Sequence, residues 1–357
     1  MSPQIFLIGA SGHIGAAVLQ ALKAAYPDSK IEALVRSEDD SKDIRERYHT
    51  TVNTIQGSLS DLGVVEAAAS QAQIVINCAP DVPNSEGISA ILRGLSSSPS
   101  PHKFYIQTSG AARVWDAPPN GNTPGAKIWD DISDLDSLPT NTTHAEQDVQ
   151  VQTASASTSA GVHTAIISPT FVLGRSPSRT HKAPIVFPFL VNVIREVGGL
   201  FTVDRGENVM GFVDTEALAG LYLALVADAV AVLDGRKEVD GEEEVWGARG
   251  FYFAASLEMS FREFVEKWFG PALERAGAGG LLGTDGTKEV TVERVTEIIM
   301  GKLGSGIVET LWSRHIAEGF GTSMRVRGTR AEKVLGYRWV EGLPGLGDAV
   351  EAVLEVV

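Results

Sequence analysis

The chain has 357 residues, with 45 Asp+Glu against 30 Lys+Arg and a formal net charge of −15. So acidic a surface repels phosphate backbones and excludes general nucleic-acid binding, while a local basic pocket for one small anion stays open. Apolar residues at 43% and charged residues at 21% exclude a disordered or fibrous chain, and the length predicts two domains, or one large domain with an appendage.

In chain order, the first half alternates short β-branched runs with helical stretches. Strands are predicted at Ile5–Ile8, Ile31–Val35, Val52–Ile55, Ile74–Ile76, Phe104–Ile106 and Thr164–Ile167. Helices are predicted at Ile14–Ala25, Leu62–Ser70, Ser85–Leu95 and from about Thr142 to Ala160. This alternation means βαβ units: an α/β fold with a doubly wound parallel sheet of Rossmann type. Trp115–Pro139, broken by prolines and glycines, reads as a long loop, and such loops in compact domains tend to be functional. A second loop, Ser176–Pro184, follows the sixth strand, and Asp234–Glu244 reads as an acidic, solvated turn. Past Phe187 the pattern turns irregular, with helices near Thr215–Ala229, Phe261–Phe269, Val290–Met300 and Gly328–Leu335. The expected division is a dinucleotide-binding domain over 1–183 and a smaller, mixed substrate lobe over 184–357, with 209–230 returning to the first domain.

Gly9-Ala10-Ser11-Gly12-His13-Ile14-Gly15 directly follows the first strand and opens the first helix. In that context the first glycine permits a tight turn, the second lets the backbone approach a pyrophosphate, and the third lets helix pack on strand. The diphosphate then sits over the free N–H groups at the helix N-terminus. Ser11, His13 and Ile14 accompany the glycines, His13 as a spacer or as a phosphate contact. The second strand ends at Arg36, where an acid would bind the ribose 2′-hydroxyl of NAD. A guanidinium there suits the 2′-phosphate of NADP; the alternative is a solvated surface arginine.

The single cysteine, Cys78, excludes an intrachain disulfide. His49, His102, His163, His181 and His315 are too scattered for a zinc site, Gly-x-Ser-x-Gly is absent, and no metal is expected. The longest apolar stretches, Ile185–Ile194 and Ala217–Val230, fall short of a membrane span, and no targeting segment is visible. The expectation is a cytoplasmic protein with neither membrane nor nucleic-acid partner, possibly a homodimer.

These motifs, with Asn77-Cys78-Ala79-Pro80, Gln107-Thr108-Ser109-Gly110, Ser168–Gly174, Phe212–Ala219, Gly250–Phe253 and Ala331–Tyr337, resemble the extended and atypical short-chain dehydrogenase/reductases. The likeness is greatest to fungal nucleoside-diphosphate-sugar-epimerase-like or NmrA-like proteins. The resemblance implies that Gly9, Gly12 and Gly15 hold the diphosphate and that Ser58 and Leu59 flank the adenine. It implies that Cys78, Ala79, Pro80 and Thr108 line the cofactor and that Pro169, Thr170 and Phe171 lie beside the nicotinamide. Ser109 matches the serine that hydrogen-bonds the substrate oxygen.

Most active members carry Tyr-x-x-x-Lys on the helix after the fifth strand. Here the matching stretch has His144 and Asp148, and neither tyrosine nor lysine. At helical i, i+4 spacing the two share a face, so His144 can replace the tyrosine as acid or base while Asp148 orients it. His144 as a cofactor or substrate contact, and a plain surface ion pair, are the alternatives. Trp115, Trp129 and Phe187 are candidate walls of a substrate pocket, or ordinary core. The resulting expectation is an NADP(H)-dependent oxidoreductase acting on a small carbonyl or alcohol. An isomerase, dehydratase or epimerase on the same scaffold and a non-catalytic NADP-binding sensor resembling NmrA are the competing readings.

Overall fold

The computed structural model describes residues 2–157, 161–239, 245–304 and 306–357. Ala160, the expected end of the long helix, and 240–244 of the acidic turn lie outside the described residues. The strands in chain order are β1 (Gln4–Ile8), β2 (Lys30–Val35), β3 (Val52–Gln56), β4 (Ile74–Asn77), β5 (Lys103–Thr108), β6 (Trp129–Asp130), β7 (Val162–Pro169), β8 (Phe171–Leu173), β9 (Phe201–Val203), β10 (Val209–Asp214), β11 (Phe251–Ala254) and β12 (Leu257–Ser260). The principal helices are α1 (His13–Ala25), α2 (Glu38–Tyr48), α3 (Leu62–Gln71), α4 (Ser85–Ser97), α5 (Ala145–Ser157), α6 (Phe187–Val197) and α7 (Thr215–Leu233).

Seven strands form one parallel sheet in the order β11-β7-β5-β4-β1-β2-β3. Strands covered by helices on both faces need apolar side chains at successive positions, and β4 and β5 are buried throughout. Chain order reverses between β1 and β4, and Ile8 pairs with both Leu34 and Asn77. The carboxyl ends of β1, β2 and β4 therefore share one edge, where a crevice opens at the reversal.

All six predicted strands lie in this sheet. The seventh, β11, comes from the second half of the chain and pairs with β7 along Phe251–Ala254. The short helix Thr329–Leu335 packs beside it, so the second half reaches the large sheet through β11 and this helix. Helix α7 is long and apolar enough to cross a membrane, but it packs on α1, its inner side chains Leu218, Leu221, Tyr222 and Leu225 fully buried.

The smaller lobe has its own core, in which Phe187, Phe201, Phe212, Phe261 and Phe269 are fully buried. Around it stand the sheet β8–β10–β12, helix α6 and helices Val292–Leu303 and Ile307–Gly321. The loop 115–139 straps the lobes together. Asp116 N donates to Ser323 O (3.1 Å), Asn120 N to Gly321 O (2.9 Å), and β6 pairs with Val326–Arg327.

Close backbone approach at the glycine loop is a hard constraint on this architecture. A Cβ on Gly15 would sit 2.0 Å from the Gly9 carbonyl oxygen. Gly15→Ala is expected to lower stability by about 1–3 kcal/mol, the usual cost of overpacking, measured as a fall in the urea midpoint at unchanged slope.

Candidate active site

The glycine loop forms as its spacing requires. Gly9 adopts φ +79°, and a Cβ there would lie 2.8 Å from Cys78 C and Ala79 N across the crevice. A Cβ on Gly12 would meet only the Gly9 carbonyl, at 3.2 Å. The first turn of α1 carries no acidic residue and no side-chain cap, so its free N–H groups and dipole favour an anion. This cradle fits a dinucleotide diphosphate.

Arg36 ends β2 exposed, with no hydrogen bond or ion pair among the described residues. Ser58 is turned to Asp61, which its N–H and hydroxyl both reach (2.6 and 2.8 Å). Leu59 is buried against Gly87 at the start of α4, and Pro80 is exposed. Thr108 donates to Asn77 O (2.6 Å) and meets the Tyr222 hydroxyl (2.5 Å). Cys78 is half-buried, and its thiol faces the same two groups, where burial pushes its pKa up to about 12; it is not a nucleophile. Pro169 is buried at the end of β7, and Thr170 is tied by N–H and hydroxyl to Ala254 O (3.0 and 2.9 Å).

His13 does not turn toward a phosphate. Its Nδ1 lies 3.0 Å from His181 O and its Nε2 3.2 Å from the Thr215 hydroxyl. A carbonyl only accepts, so Nδ1 carries the proton. Ser176 and Ser178 donate to the carbonyls of His13 and Ser11 (2.7 and 2.6 Å). The loop 176–184 is thereby bound to the glycine loop.

The catalytic candidates separate into two groups. His144 is not within a helix: it has φ +69° and precedes the first residue of α5. The left-handed conformation, costly for a residue with a Cβ, turns its ring away from the helix. Its Nδ1 meets the Asp81 carboxylate at 2.8 and 2.9 Å. Its Nε2 lies against Gly110, where a Cβ would be only 2.6 Å away. The carboxylate that orients the imidazole is therefore Asp81, beyond the end of β4, and not Asp148.

Asp148 is fully buried and paired with Arg113 Nη1 at 2.9 Å. Burial, opposed by Arg113, pushes its pKa up to about 6. Ser109, adjoining Gly110, is buried with its hydroxyl turned to this carboxylate and shielded from solvent.

Trp115 closes the short turn after Gly110 and stacks on His315 (4.7 Å between centroids, 21° between planes). His315, on helix Ile307–Gly321, thus covers one face of Trp115, a contact that its sequence position gave no sign of. Gly319, one turn on, leaves room for Trp115 and Phe171: a Cβ there would lie 3.2 Å from one ring and 3.7 Å from the other. Trp129 lies apart, its ring face covered by the Lys127 ammonium at 3.4 Å. Phe187 is fully buried edge-on against Phe269 in the lobe core, where it lines a small internal cavity with Phe171, Phe212 and Phe264.

A Rossmann sheet, a glycine cradle at its order reversal and a smaller lobe define a dinucleotide-binding type of scaffold. The comparisons with known proteins agree at two levels. Residues 1–89 match the NmrA-like family. Among solved structures, the fold is similar to the dTDP-glucose 4,6-dehydratase of Bacillus anthracis in complex with NAD (TM-score 0.66, 14% identity, 99% of this chain and 97% of that one). It is similar also to the yeast methylglyoxal/isovaleraldehyde reductase complexed with NADPH (TM-score 0.60, 14% identity, 99% and 98%). A curated relative, the oxidase ucsJ of an Acremonium species, is 24% identical over 381 residues, covering 99% of this chain and 97% of its own length. The resemblance drawn from the motifs is borne out in family match and in fold.

The His13 contacts have a consequence in acid. Burial lowers its pKa from 6.5 to about 4. Between those values the unfolded chain binds a proton that the folded one does not, so stability is complete above pH 6.5 and is lost as pH falls toward 4. From pH 7 to 5 the loss from this group is about 2 kcal/mol. Urea titrations at the two pH values should show it, and His13→Gln should reduce the difference.

Proposed function

We propose that this protein is an NADP(H)-dependent oxidoreductase acting on a small carbonyl or alcohol, with His144 as its proton-transfer group in place of a tyrosine. The observation that carries this reading is the Asp81–His144 pair, set at the carboxyl edge of β4 and β5 beside Ser109.

The bound nicotinamide dinucleotide supplies hydride exchange. Gly9, Gly12 and the N-terminus of α1 receive its diphosphate, and Arg36, exposed and unpaired, receives the 2′-phosphate. The Ser109 hydroxyl donates to the substrate oxygen and orients it. His144 holds one proton on Nδ1 for Asp81 and exchanges the other at Nε2 with that oxygen. Asp81 fixes the tautomer and stabilises the imidazolium, as an acid paired with a catalytic imidazole does. The slot four residues on, lysine in most active relatives, is closed here by the Arg113–Asp148 pair, which braces the wall behind Ser109. The Acremonium oxidase and the yeast reductase support a redox reaction. A sensor that only binds NADP has no need of a carboxylate–imidazole pair at this edge.

Calorimetry should show tighter binding of NADPH than of NADH. Arg36→Ala should weaken NADPH about 10–150-fold, the worth of a charge-assisted hydrogen bond, and leave NADH unchanged. Equal affinity of the unmodified protein for the two cofactors refutes the assignment of Arg36.

With any carbonyl from a panel that oxidises NADPH, His144→Phe should lower kcat by about 10²–10⁴-fold at unchanged NADPH affinity. Asp81→Asn, which frees the wrong tautomer, should lower it by up to about 10⁴-fold. Full activity in His144→Phe overturns the mechanism. Tight NADPH binding without turnover of any carbonyl favours the sensor reading.

A further inference from the structure

We propose that the rings of Phe171, Trp115, His315 and Trp312 form the binding wall for the non-reacting part of the substrate, and that this part is an uncharged aromatic or conjugated ring system. The inference rests on the oxidoreductase reading above and gives its carbonyl or alcohol a chemical class.

The wall starts at the carboxyl edge that carries Ser109. Strands β5 and β7 lie side by side, and Ser109 N donates to Ile167 O (2.8 Å), so the segments leaving the two strands rise from one edge. The first segment carries Gly110, against which His144 Nε2 lies, and closes its turn at Trp115. The Thr142 hydroxyl donates to Arg113 O (2.7 Å) and so ties this turn to the stretch that ends at His144. The second segment opens β8 with Phe171. Helix Ile307–Gly321 of the smaller lobe joins the two, since a Cβ on Gly319 would sit 3.2 Å from Trp115 and 3.7 Å from Phe171. One turn earlier His315 stacks on Trp115, and Trp312 stands edge-on to His315 (5.9 Å, 85°).

These rings are not packed as the lobe core is. There Phe187, Phe201, Phe212, Phe261 and Phe269 are fully buried. Phe171, Trp115 and His315 are only half-buried, and Trp312 is 48% exposed. Trp115 turns its N–H inward to Met324 Sδ (3.2 Å), so what it offers outward is ring surface. A run of part-exposed rings beside a few polar reacting groups is how ligand sites are commonly built: the apolar wall holds, and the polar groups orient.

Charge argues against a sugar diphosphate on this wall. Over residues 109–115, 169–175 and 307–321, the arginines and lysines are Arg113, Arg175 and Arg314. Each is paired with a carboxylate: Asp148 (2.9 Å), Glu355 (2.9 Å) and Glu318 (2.7 Å). Phosphate oxygens are held by cations free to pair with them, and these segments offer none, whereas a neutral ring system needs only the ring surface.

The test uses the complex with NADP, in which the oxidised cofactor cannot reduce a ketone, so binding is read without turnover. Calorimetry should show binding of 2-acetylnaphthalene and none of UDP-glucose. Trp312→Ala, at an exposed ring, and Phe171→Leu should each weaken 2-acetylnaphthalene about three- to tenfold, the worth of one aromatic contact. With NADPH, kcat/KM should be higher for 2-acetylnaphthalene than for butan-2-one, and Trp312→Ala should narrow the ratio through KM. Absent binding of 2-acetylnaphthalene, binding by both variants as tight as by the unmodified protein, or preference for UDP-glucose overturns the wall. If butan-2-one is reduced while 2-acetylnaphthalene does not bind, the wall fails and the oxidoreductase reading stands. If 2-acetylnaphthalene binds through these rings and no carbonyl is turned over, the wall stands and that reading fails.

Discussion

The close approach of Gly9 to the Cys78–Ala79 backbone, at the reversal of strand order, is the constraint on which the rest of the site depends. Both β1 and β4 must end at the same level for the crevice to open, and their register through Ile8 and Asn77 sets that level. Asn77 is locked in turn: its amide donates to Gln107 Oε1 (3.0 Å), and its side-chain oxygen accepts from Ala79 N (3.1 Å). From this point the chain runs through Pro80 directly to Asp81, so the segment that bounds the cofactor cradle also delivers the carboxylate that holds His144.

Two buried charges next to this edge have different roles. Asp148 and Arg113 neutralise one another behind Ser109, an arrangement in which removing either partner leaves an uncompensated charge and costs far more than the pair contributes. Asp81 and His144 remain within reach of a ligand, the imidazole side chain being 17% exposed. The left-handed backbone of His144 is what separates the two pairs. Had α5 begun one residue earlier, the ring would follow the helix toward Asp148.

Much of the large domain was legible because its signals are local. Short apolar and β-branched runs marked six strands, and those buried on both faces, such as Ile5–Ile8 and Ile74–Ile76, need no partner to reveal themselves. Helix α2 was not legible: Glu38–Tyr48 buries only Ser41 and Ile44 and has almost no apolar face. Helix Ile307–Gly321, which carries His315, is preceded by Gly304 and Gly306 and contains Gly319 near its end. Glycines read as breakers in a sequence, yet Gly319 is there because Trp115 and Phe171 pack against it. The seventh strand, Phe251–Ala254, is an apolar run like the others, but nothing local assigns it to a sheet begun some 240 residues earlier.

The sequence by itself determined the strand–glycine loop–helix cradle, the guanidinium following β2, and the spacing of a histidine and an aspartate four positions apart at the start of α5. Each is a matter of residue type and short spacing, and local backbone geometry follows directly from both. Only the tertiary structure decided which carboxylate holds His144, because Asp81 and His144 are 63 positions apart and meet through the order of strands in the sheet. It also placed His315 against Trp115, 200 residues away in sequence, and withdrew Phe187 into the core. Side-chain pairing depends on where separate elements are packed, and that information resides in the whole chain.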